Sequence, residues 1–175
     1  MFFLFFIVRV VNIVKKIELI NPDYLGSVKK IRHACRGVIM KAGMILLSYE
    51  KKDDVYMIPG GGVEDNESFI ECCKREVLEE TGVICNPVNN YLVIDEFFSD
   101  MQHINHYFTC EVIEETSDRQ LTQREIESGL IFVWVPIDVA ITIFGQYEKY
   151  LSISKERFGL YRREFLALKS LTNEE

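Results

Sequence analysis

A short glycine-started stretch rich in carboxylates, residues 61–83, constrains this chain more than any other part of it. Its sequence, GGVEDNESFIECCKREVLEETGV, begins with two glycines and carries another at Gly82. Ser68 followed by Glu71 forms a capping-box pattern, which marks the start of a helix. Glycine is a usual residue just past the end of a helix, so we expect a helix over residues 69–81 that ends at Gly82.

Three carboxylates crowd one side of this predicted helix. Glu76 and Glu80 stand at positions i and i+4 with Glu79 beside them, and the three span an arc of roughly 100°. Like charges at this spacing destabilise a helix by a few tenths of a kcal/mol. A hard divalent cation is the obvious counter-charge, because magnesium prefers oxygen ligands and binds substrate phosphates as well. An apolar stripe that includes Cys73 and Val77 runs alongside, so the carboxylates are expected at the seam between helix and sheet.

The same stretch matches the Nudix signature at each defined position. The matching residues are Gly61, Glu67, Arg75, Glu76, Val77, Glu79, Glu80, Gly82 and Val83. The chain therefore resembles the Nudix hydrolases, which cleave a nucleoside diphosphate linked to another moiety. Asn66 stands where relatives usually carry glycine, and this departure is mild because asparagine tolerates the left-handed backbone region.

The resemblance implies a metal site. Glu76, Glu79 and Glu80 would ligate Mg²⁺, or Mn²⁺ as a substitute, together with the backbone carbonyl of Gly60 in the glycine turn. Glu76 or Glu79 would also deprotonate or orient the attacking water, and the sequence does not choose between them. The alternative for all three glutamates is a solvated acidic helix face.

The resemblance also implies supporting residues around the acidic cluster. Arg75 would orient the cluster and pair with Glu67, and both belong to the implied catalytic group. The alternative partner of Arg75 is Glu71, at the favourable acid-first i,i+4 spacing. Glu125 and Glu127 lie where many relatives have a further loop ligand or base, and the alternative is a charged loop.

The composition indicates one globular domain and argues against a broad nucleic-acid surface. The chain has 175 residues, of which 48% are hydrophobic and 27% charged, as is ordinary for a single domain. Its net charge of −7 argues against a broad nucleic-acid surface, so neither DNA nor long RNA is expected as a partner. Arg32, Arg36, Lys51 and Lys52 are candidates to hold phosphates, with a solvated surface as the alternative.

The cysteines indicate a reducing compartment. They stand at positions 35, 72, 73, 85 and 110, an odd number with no C-x-x-C pair. Neither a zinc site nor a disulfide framework is therefore expected. Free thiols in the cytoplasm are the simple interpretation.

Residues 1–25 form an apolar N-terminal segment of uncertain role, and residues 26–175 are expected to form a single Nudix-type domain. The opening MFFLFFIVRVVNIVKKIELI is interrupted by Arg9, Asn12 and two lysines, whereas a membrane span needs roughly 20 mostly apolar residues. Its charges follow the apolar run, which is the reverse of a secretory signal. We expect a strand, a docked segment or a start codon assigned too far upstream, and no membrane partner; a membrane anchor is the alternative.

Apolar runs and turn residues predict strands on both sides of the central helix. The predicted strands are residues 36–40, 44–49, 55–58, 88–98, 103–113 and 130–135. A short helix should follow from Pro136, a terminal helix should cover residues 155–171, and residues 114–128 should form a loop. This order indicates a mixed α/β layer fold. The resemblance implies a Nudix-type α/β/α sandwich with a mixed β-sheet.

Together these features predict a metal-dependent pyrophosphohydrolase. A metal-activated water would cleave the pyrophosphate bond of a nucleoside triphosphate or a related small-molecule nucleotide, without a covalent intermediate. No organic cofactor is expected, and a homodimer is left open. One alternative is a non-catalytic Nudix-like module that binds a nucleotide as a sensor, and another is an interaction domain with an accidental motif match. The substrate itself is not identified.

Overall fold

A computed structural model describes residues 14–172. Its strands are β1 Lys15–Ile20, β2 Lys30–Lys41, β3 Met44–Glu50, β4 Val55–Met57, β5 Val83–Phe98, β6 Met101–Glu115 and β7 Leu130–Pro136. Its helices are α1 Phe69–Thr81, α2 Gln123–Ser128, α3 Ile137–Gly145 and α4 Lys155–Thr172, with a 3₁₀ helix at Tyr147–Tyr150.

The strands form one mixed sheet. Strands β1, β5, β6 and β2 lie side by side in that order, and the β2–β3 hairpin joins them to β4 and β7, which both pair with β3. The β1–β5 and β2–β6 pairs are parallel, whereas β5–β6, β3–β4 and β3–β7 are antiparallel. The predicted mixed sheet is confirmed.

Helices cover both faces of the sheet. Val38 belongs to a core cluster with Ala140 of α3 and Leu168 of α4, whereas its neighbour Ile39 packs in a cluster with Val77 of α1. Because successive strand residues point to opposite faces, α1 lies on one face and α3 and α4 on the other, which confirms the predicted α/β/α sandwich. All five cysteines are free and buried in the cluster under α1, as expected of free thiols.

Helix α1 begins and ends where its sequence predicted. Ser68 accepts a hydrogen bond from the backbone of Glu71, and the Glu71 carboxylate accepts one from the backbone of Ser68. Glu71 is thereby committed to the cap and not to Arg75. Gly82 ends the helix with a left-handed φ of 75°, and Asn66 adopts the left-handed region with a φ of 65°. Local capping and turn chemistry therefore fix the entry and exit of this helix.

The prediction of a loop over residues 114–128 is wrong at both ends. Glu114 and Glu115 extend β6, and Gln123–Ser128 forms α2. Thr122 accepts from the backbone of Glu125, whose carboxylate accepts from the backbone of Thr122. This capping box is the same local signal that starts α1, and it begins a helix within a polar segment.

Three strands begin earlier than predicted, and for β6 the difference is only from residue 103 to Met101. Strand β2 starts at Lys30 instead of residue 36, and its first three residues are exposed, so no buried apolar pattern marks them. Strand β5 starts at Val83 instead of residue 88. Pro87 interrupts its pattern at an irregularity of the β5–β6 ladder, where a missing N–H is tolerated.

The N-terminal part of the described chain belongs to the sheet. Strand β1 pairs in parallel with β5 along its whole length. The sheet therefore begins before residue 26, where the domain was predicted to start. The interpretations of the first 13 residues as a docked segment, a mis-assigned start or an anchor lie outside the described residues. Between residues 14 and 172, no helix has both the length and the apolar character needed to cross a bilayer.

Candidate active site

The glycine turn is fixed against strand β2. The Cys35 amide donates to the Gly61 carbonyl at 2.9 Å, and the Gly37 amide donates to the Pro59 carbonyl at 2.9 Å. Gly60 has a φ of 144°, and a Cβ on it would lie within 3.0 Å of the Cys35 carbonyl oxygen. Only glycine fits this close backbone approach. The turn is thus held rigidly beside the sheet.

Arg75 joins the glutamates of α1 to the loop before it. Its Nε and Nη2 donate to the two carboxylate oxygens of Glu67 at 2.8 and 2.9 Å, which is the predicted pair in bidentate form. Its Nη1 donates to Glu76 at 2.9 Å and to Glu79 at 3.2 Å, and Nη2 also donates to the Gly62 carbonyl at 3.0 Å. The Arg75 guanidinium lowers the pKa of Glu67.

Glu80 lies at the seam between α1 and the sheet, as the stripe beside it predicted. Its carboxylate accepts from Ser48 Oγ at 2.7 Å and from the Gly60 amide at 3.3 Å. Burial raises the pKa of Glu80 to about 7, although Ser48 and the positive charge of Arg36 oppose the rise. Burial also raises the pKa of Glu76, against the effect of neighbouring arginines. Two carboxylates are therefore held where their charge is costly.

The donors around the turn fit a hard divalent cation. The Glu76 carboxylate lies so close to Gly61 that a Cβ there would meet its oxygens within 3.0 Å. Carboxylate oxygens and a backbone carbonyl such as that of Gly60 are the kind of donors that magnesium prefers. Within residues 14–172, no three Asp, Glu, His or Cys side chains are grouped as they would be around a bound ion. Arg75 contacts Glu76 and Glu79, and Ser48 contacts Glu80.

The turn and α1 line a cleft of about 810 Å³. Its arginines come from four separate elements of the fold, β2, α1, α2 and α4: Arg32, Arg36, Arg75, Arg124 and Arg157. Its carboxylates are Glu50, Asp53, Glu64, Glu76, Glu79, Glu80, Glu125 and Glu156. Acidic groups outnumber basic ones, so the cleft can accept additional positive charge while its arginines bind an anion.

The two acidic residues predicted near strand β7 differ in position. Glu125 lines the cleft from α2, although its carboxylate also accepts from the Thr122 amide at 2.7 Å. Glu127 accepts from Gln123 Nε2 at 2.8 Å on the exposed side of α2 and does not line the cleft. Glu125 alone of the pair is thus placed near α1.

Several residues in or behind the cleft wall escaped sequence reasoning. Ser48 is an ordinary strand residue until the fold sets it against Glu80. The Thr122–Glu125 capping pattern could have placed Arg124 on a helix. Arg157 at the start of α4 lies 4.9 Å from the centre of the Tyr150 ring, and no local pattern indicates that this end of α4 meets the cleft.

Comparisons with known proteins agree with this geometry. The NUDIX domain family matches residues 32–154 of the chain. A curated relative, an 8-oxo-dGTP diphosphatase of Buchnera aphidicola subsp. Acyrthosiphon pisum (strain APS), is 33% identical over 57 residues, which are 33% of this chain and 45% of the relative. The chain thus spans less than half of that relative.

Solved structures share the fold. A NUDIX hydrolase from Nitrosomonas europaea superposes with a TM-score of 0.53 at 26% identity, over 62% of this chain and 74% of its own. The ORF135 protein of E. coli superposes with a TM-score of 0.54 at 18% identity, over 83% of this chain and 96% of its own, and shows likeness of fold alone. With the family match spanning most of the chain, and the glycine turn, Arg75 and the three glutamates assembled at one cleft, the chain belongs to the NUDIX domain family.

Proposed function

We propose that this chain hydrolyses a phosphoanhydride bond of a nucleotide with the help of a divalent cation. The observation that carries the proposal is the buried carboxylate of Glu80 beside the Gly60 turn, at the wall of a cleft that also holds five arginines. Buried carboxylates are costly without a counter-charge, and a cation shared with a polyphosphate would supply one. Family membership supports the same reaction class.

Four oxygen donors would hold the cation: the Gly60 carbonyl and the carboxylates of Glu76, Glu79 and Glu80. Mg²⁺ is the expected ion, with Mn²⁺ as a substitute. When bound, it would neutralise phosphate charge and lower the pKa of a water. Arg75 would release Glu76 and Glu79 in part, while its bidentate hold on Glu67 keeps the guanidinium in place.

A carboxylate at the cleft would take the proton of the attacking water. Glu76 and Glu79 are the candidates on α1, and Glu125 is the candidate on α2. Such general-base help is worth about 10²–10⁴-fold in rate. Arg36, Arg124 and Arg157, from β2, α2 and α4, would bind the phosphates. The products would be a nucleoside monophosphate and pyrophosphate, or phosphate on the second moiety.

A nucleoside triphosphate, either ordinary or oxidised, is the first substrate class to test. The Buchnera relative is named as an 8-oxo-dGTP diphosphatase, which supports this choice. Nucleoside diphosphates with another attached group, such as nucleotide sugars, are the next class. Buried free thiols support a cytoplasmic location for the reaction.

The test is a panel of nucleotides incubated with the protein and Mg²⁺ or Mn²⁺, with released phosphate and pyrophosphate followed by ³¹P NMR. Glu79→Gln should lower kcat by about 100-fold or more, since it removes a ligand and a candidate base. Glu127→Gln is the matched control, because Glu127 lies outside the cleft lining, and its kcat should be unchanged.

Calorimetry on the same proteins separates the enzyme from a sensor. A protein that binds a nucleotide with Mg²⁺ but cleaves no member of the panel would be a non-catalytic nucleotide-binding module. Equal rates for wild type and Glu79→Gln would reject the proposed role of the α1 carboxylates.

A further inference from the structure

Arg36 on β2 already occupies the backbone oxygen that the proposed cation needs. Its Nη1 donates to the Gly60 carbonyl at 2.5 Å and lies 3.4 Å from the Ile58 carbonyl. The Gly60 carbonyl is the one backbone ligand in the proposed set. A guanidinium and a divalent cation cannot both take this oxygen at close range, because their positive charges repel each other.

The guanidinium of Arg36 is incompletely satisfied in this position. Its Nε is buried and finds no acceptor within residues 14–172. A buried donor without a partner costs roughly 1–3 kcal/mol, so an incoming acceptor can draw the group away. The side chain also lines the cleft, where a phosphate would offer two oxygens to the guanidinium fork.

Arg32 makes a useful contrast on the same strand. It lines the same cleft and carries the same charge, and its guanidinium lies against Gly62 at the other end of the turn. The Arg32 guanidinium lies beside Gly62, where a Cβ would otherwise fit, and does not contact the Gly60 carbonyl. Comparing variants of the two arginines therefore distinguishes direct competition for the Gly60 carbonyl from the general effect of positive charge in the cleft.

We propose that Arg36 and the divalent cation compete for the Gly60 carbonyl, and that a substrate phosphate resolves the competition by binding the Arg36 guanidinium. Arg36 is then a positioning residue that couples cation binding to nucleotide binding. This inference rests on the proposed function. Without nucleotide, Arg36 holds the cation affinity down, and with nucleotide it moves to the phosphate and leaves the carbonyl free. Linkage requires that the cation in turn strengthens nucleotide binding.

The experiment measures binding of Mn²⁺ alone by electron paramagnetic resonance, and of inorganic pyrophosphate alone by calorimetry with a chelator present. Arg36→Gln should bind Mn²⁺ about tenfold more tightly than wild type, the effect of one lost charge-assisted hydrogen bond. It should bind pyrophosphate about tenfold more weakly. Arg36→Met, which retains an apolar stem, is measured in parallel and should shift both affinities in the same directions.

Arg32→Gln is the matched control, and its Mn²⁺ affinity should change by less than about threefold, because Arg32 does not contact the Gly60 carbonyl and its charge acts only across the solvent-filled cleft. An equal gain in Mn²⁺ affinity in Arg32→Gln and Arg36→Gln would overturn the inference, because bulk charge would then explain it. Equal Mn²⁺ affinity in wild type and both Arg36 variants would overturn it as well, and would leave the proposed function standing. No Mn²⁺ uptake by any of the proteins would overturn the proposed function and this inference together.

Discussion

Ser48 on β3 donates a hydrogen bond of 2.7 Å to Glu80 on α1, and both side chains are buried. This bond ties the central helix to the sheet beside the glycine turn. Burial raises the pKa of Glu80 from 4.5 to about 7, although the Ser48 bond favours the charged form. Without a bound cation, Glu80 is therefore mainly protonated below about pH 7 and mainly charged above it.

Replacing Glu80 by glutamine is expected to remove a pH dependence of stability. The pKa of Glu80 is higher in the folded state than in the unfolded state, so protonated Glu80 favours the folded state. This contribution to stability is fully present below about pH 4.5 and is lost as the pH rises through about 7. Glutamine retains an oxygen that can accept from Ser48 but carries no charge. At pH 8 the free energy of unfolding of Glu80→Gln should therefore be about 2–3 kcal/mol higher than that of wild type. Urea unfolding with a chelator at pH 5 and pH 8 measures the difference. The free energy of unfolding of Glu127→Gln should change between pH 5 and pH 8 as that of wild type does. The same change in Glu80→Gln as in wild type would contradict the prediction.

The planar guanidinium of Arg75 is expected to stabilise the fold more than its positive charge alone would. Its Nε and Nη2 bind both oxygens of Glu67, while Nη1 reaches Glu76 and Glu79. Lysine offers a compact ammonium that cannot reproduce this planar geometry. Arg75→Lys should therefore destabilise the fold by about 1–2 kcal/mol.

Thermal unfolding of Arg75→Lys against wild type measures this cost. Lys74→Arg, at an exposed neighbouring position on α1, tests whether a Lys–Arg exchange alone has an effect, and it should be neutral. An Arg75→Lys protein as stable as wild type would show that charge suffices at this position.

The sequence predicted those parts of the site that depend on local chemistry. The ends of α1 follow from Ser68, Glu71 and Gly82, and the Arg75–Glu67 pair lies within the same short stretch. The caps of α1 join residues close in sequence, so their spacing alone is informative. The Arg75–Glu67 pair followed from the family resemblance, since spacing alone favoured Glu71 as the partner of Arg75. The same reasoning would have found α2, because its capping box has the same pattern.

The rest of the cleft depends on contacts between residues distant in sequence. Ser48 and Glu80 are 32 positions apart, and their meeting requires the register of β3 against its neighbours and the placement of α1 on the sheet. Arg157 lies far along the chain from the glycine turn. It reaches the cleft because α4 packs on the sheet, on the face opposite α1. Such contacts arise from tertiary packing and not from local pattern.

Gly60 is expected to tolerate no side chain. Gly60 and Gly43 both have positive φ, at 144° and 76°, so alanine is strained at either position. A Cβ on Gly60 would also meet the Cys35 carbonyl oxygen within 3.0 Å, whereas a Cβ on Gly43 meets nothing within 4 Å. Gly60→Ala should therefore cost about 3 kcal/mol or more, against about 1 kcal/mol for Gly43→Ala. Urea unfolding of both variants measures the difference, and equal losses would contradict the clash.

A buried charge network joins α4 to the sheet on the face opposite α1. Arg163 donates to Glu96 of β5 and to its neighbour Glu164, each at 3.0 Å. Its Nε donates to the Tyr107 hydroxyl at 3.0 Å, and that hydroxyl donates to Glu164 at 3.2 Å. Asn21 completes the network with a bond of 3.0 Å to Glu96. Two carboxylates thus share one guanidinium in the core.

Removing Arg163 is expected to destabilise the fold strongly. Arg163→Met leaves two buried carboxylates without their cation, which should cost about 3–5 kcal/mol. Arg162→Met changes the adjacent arginine, which is only partly buried, and should cost under about 1 kcal/mol. Because the cost arises from stranded charge, adding Glu96→Gln and Glu164→Gln to Arg163→Met should restore a large part of the loss. Urea unfolding of the two single variants and the triple variant at pH 7 provides the comparison, and a triple variant weaker than Arg163→Met would show that the network is net stabilising in itself.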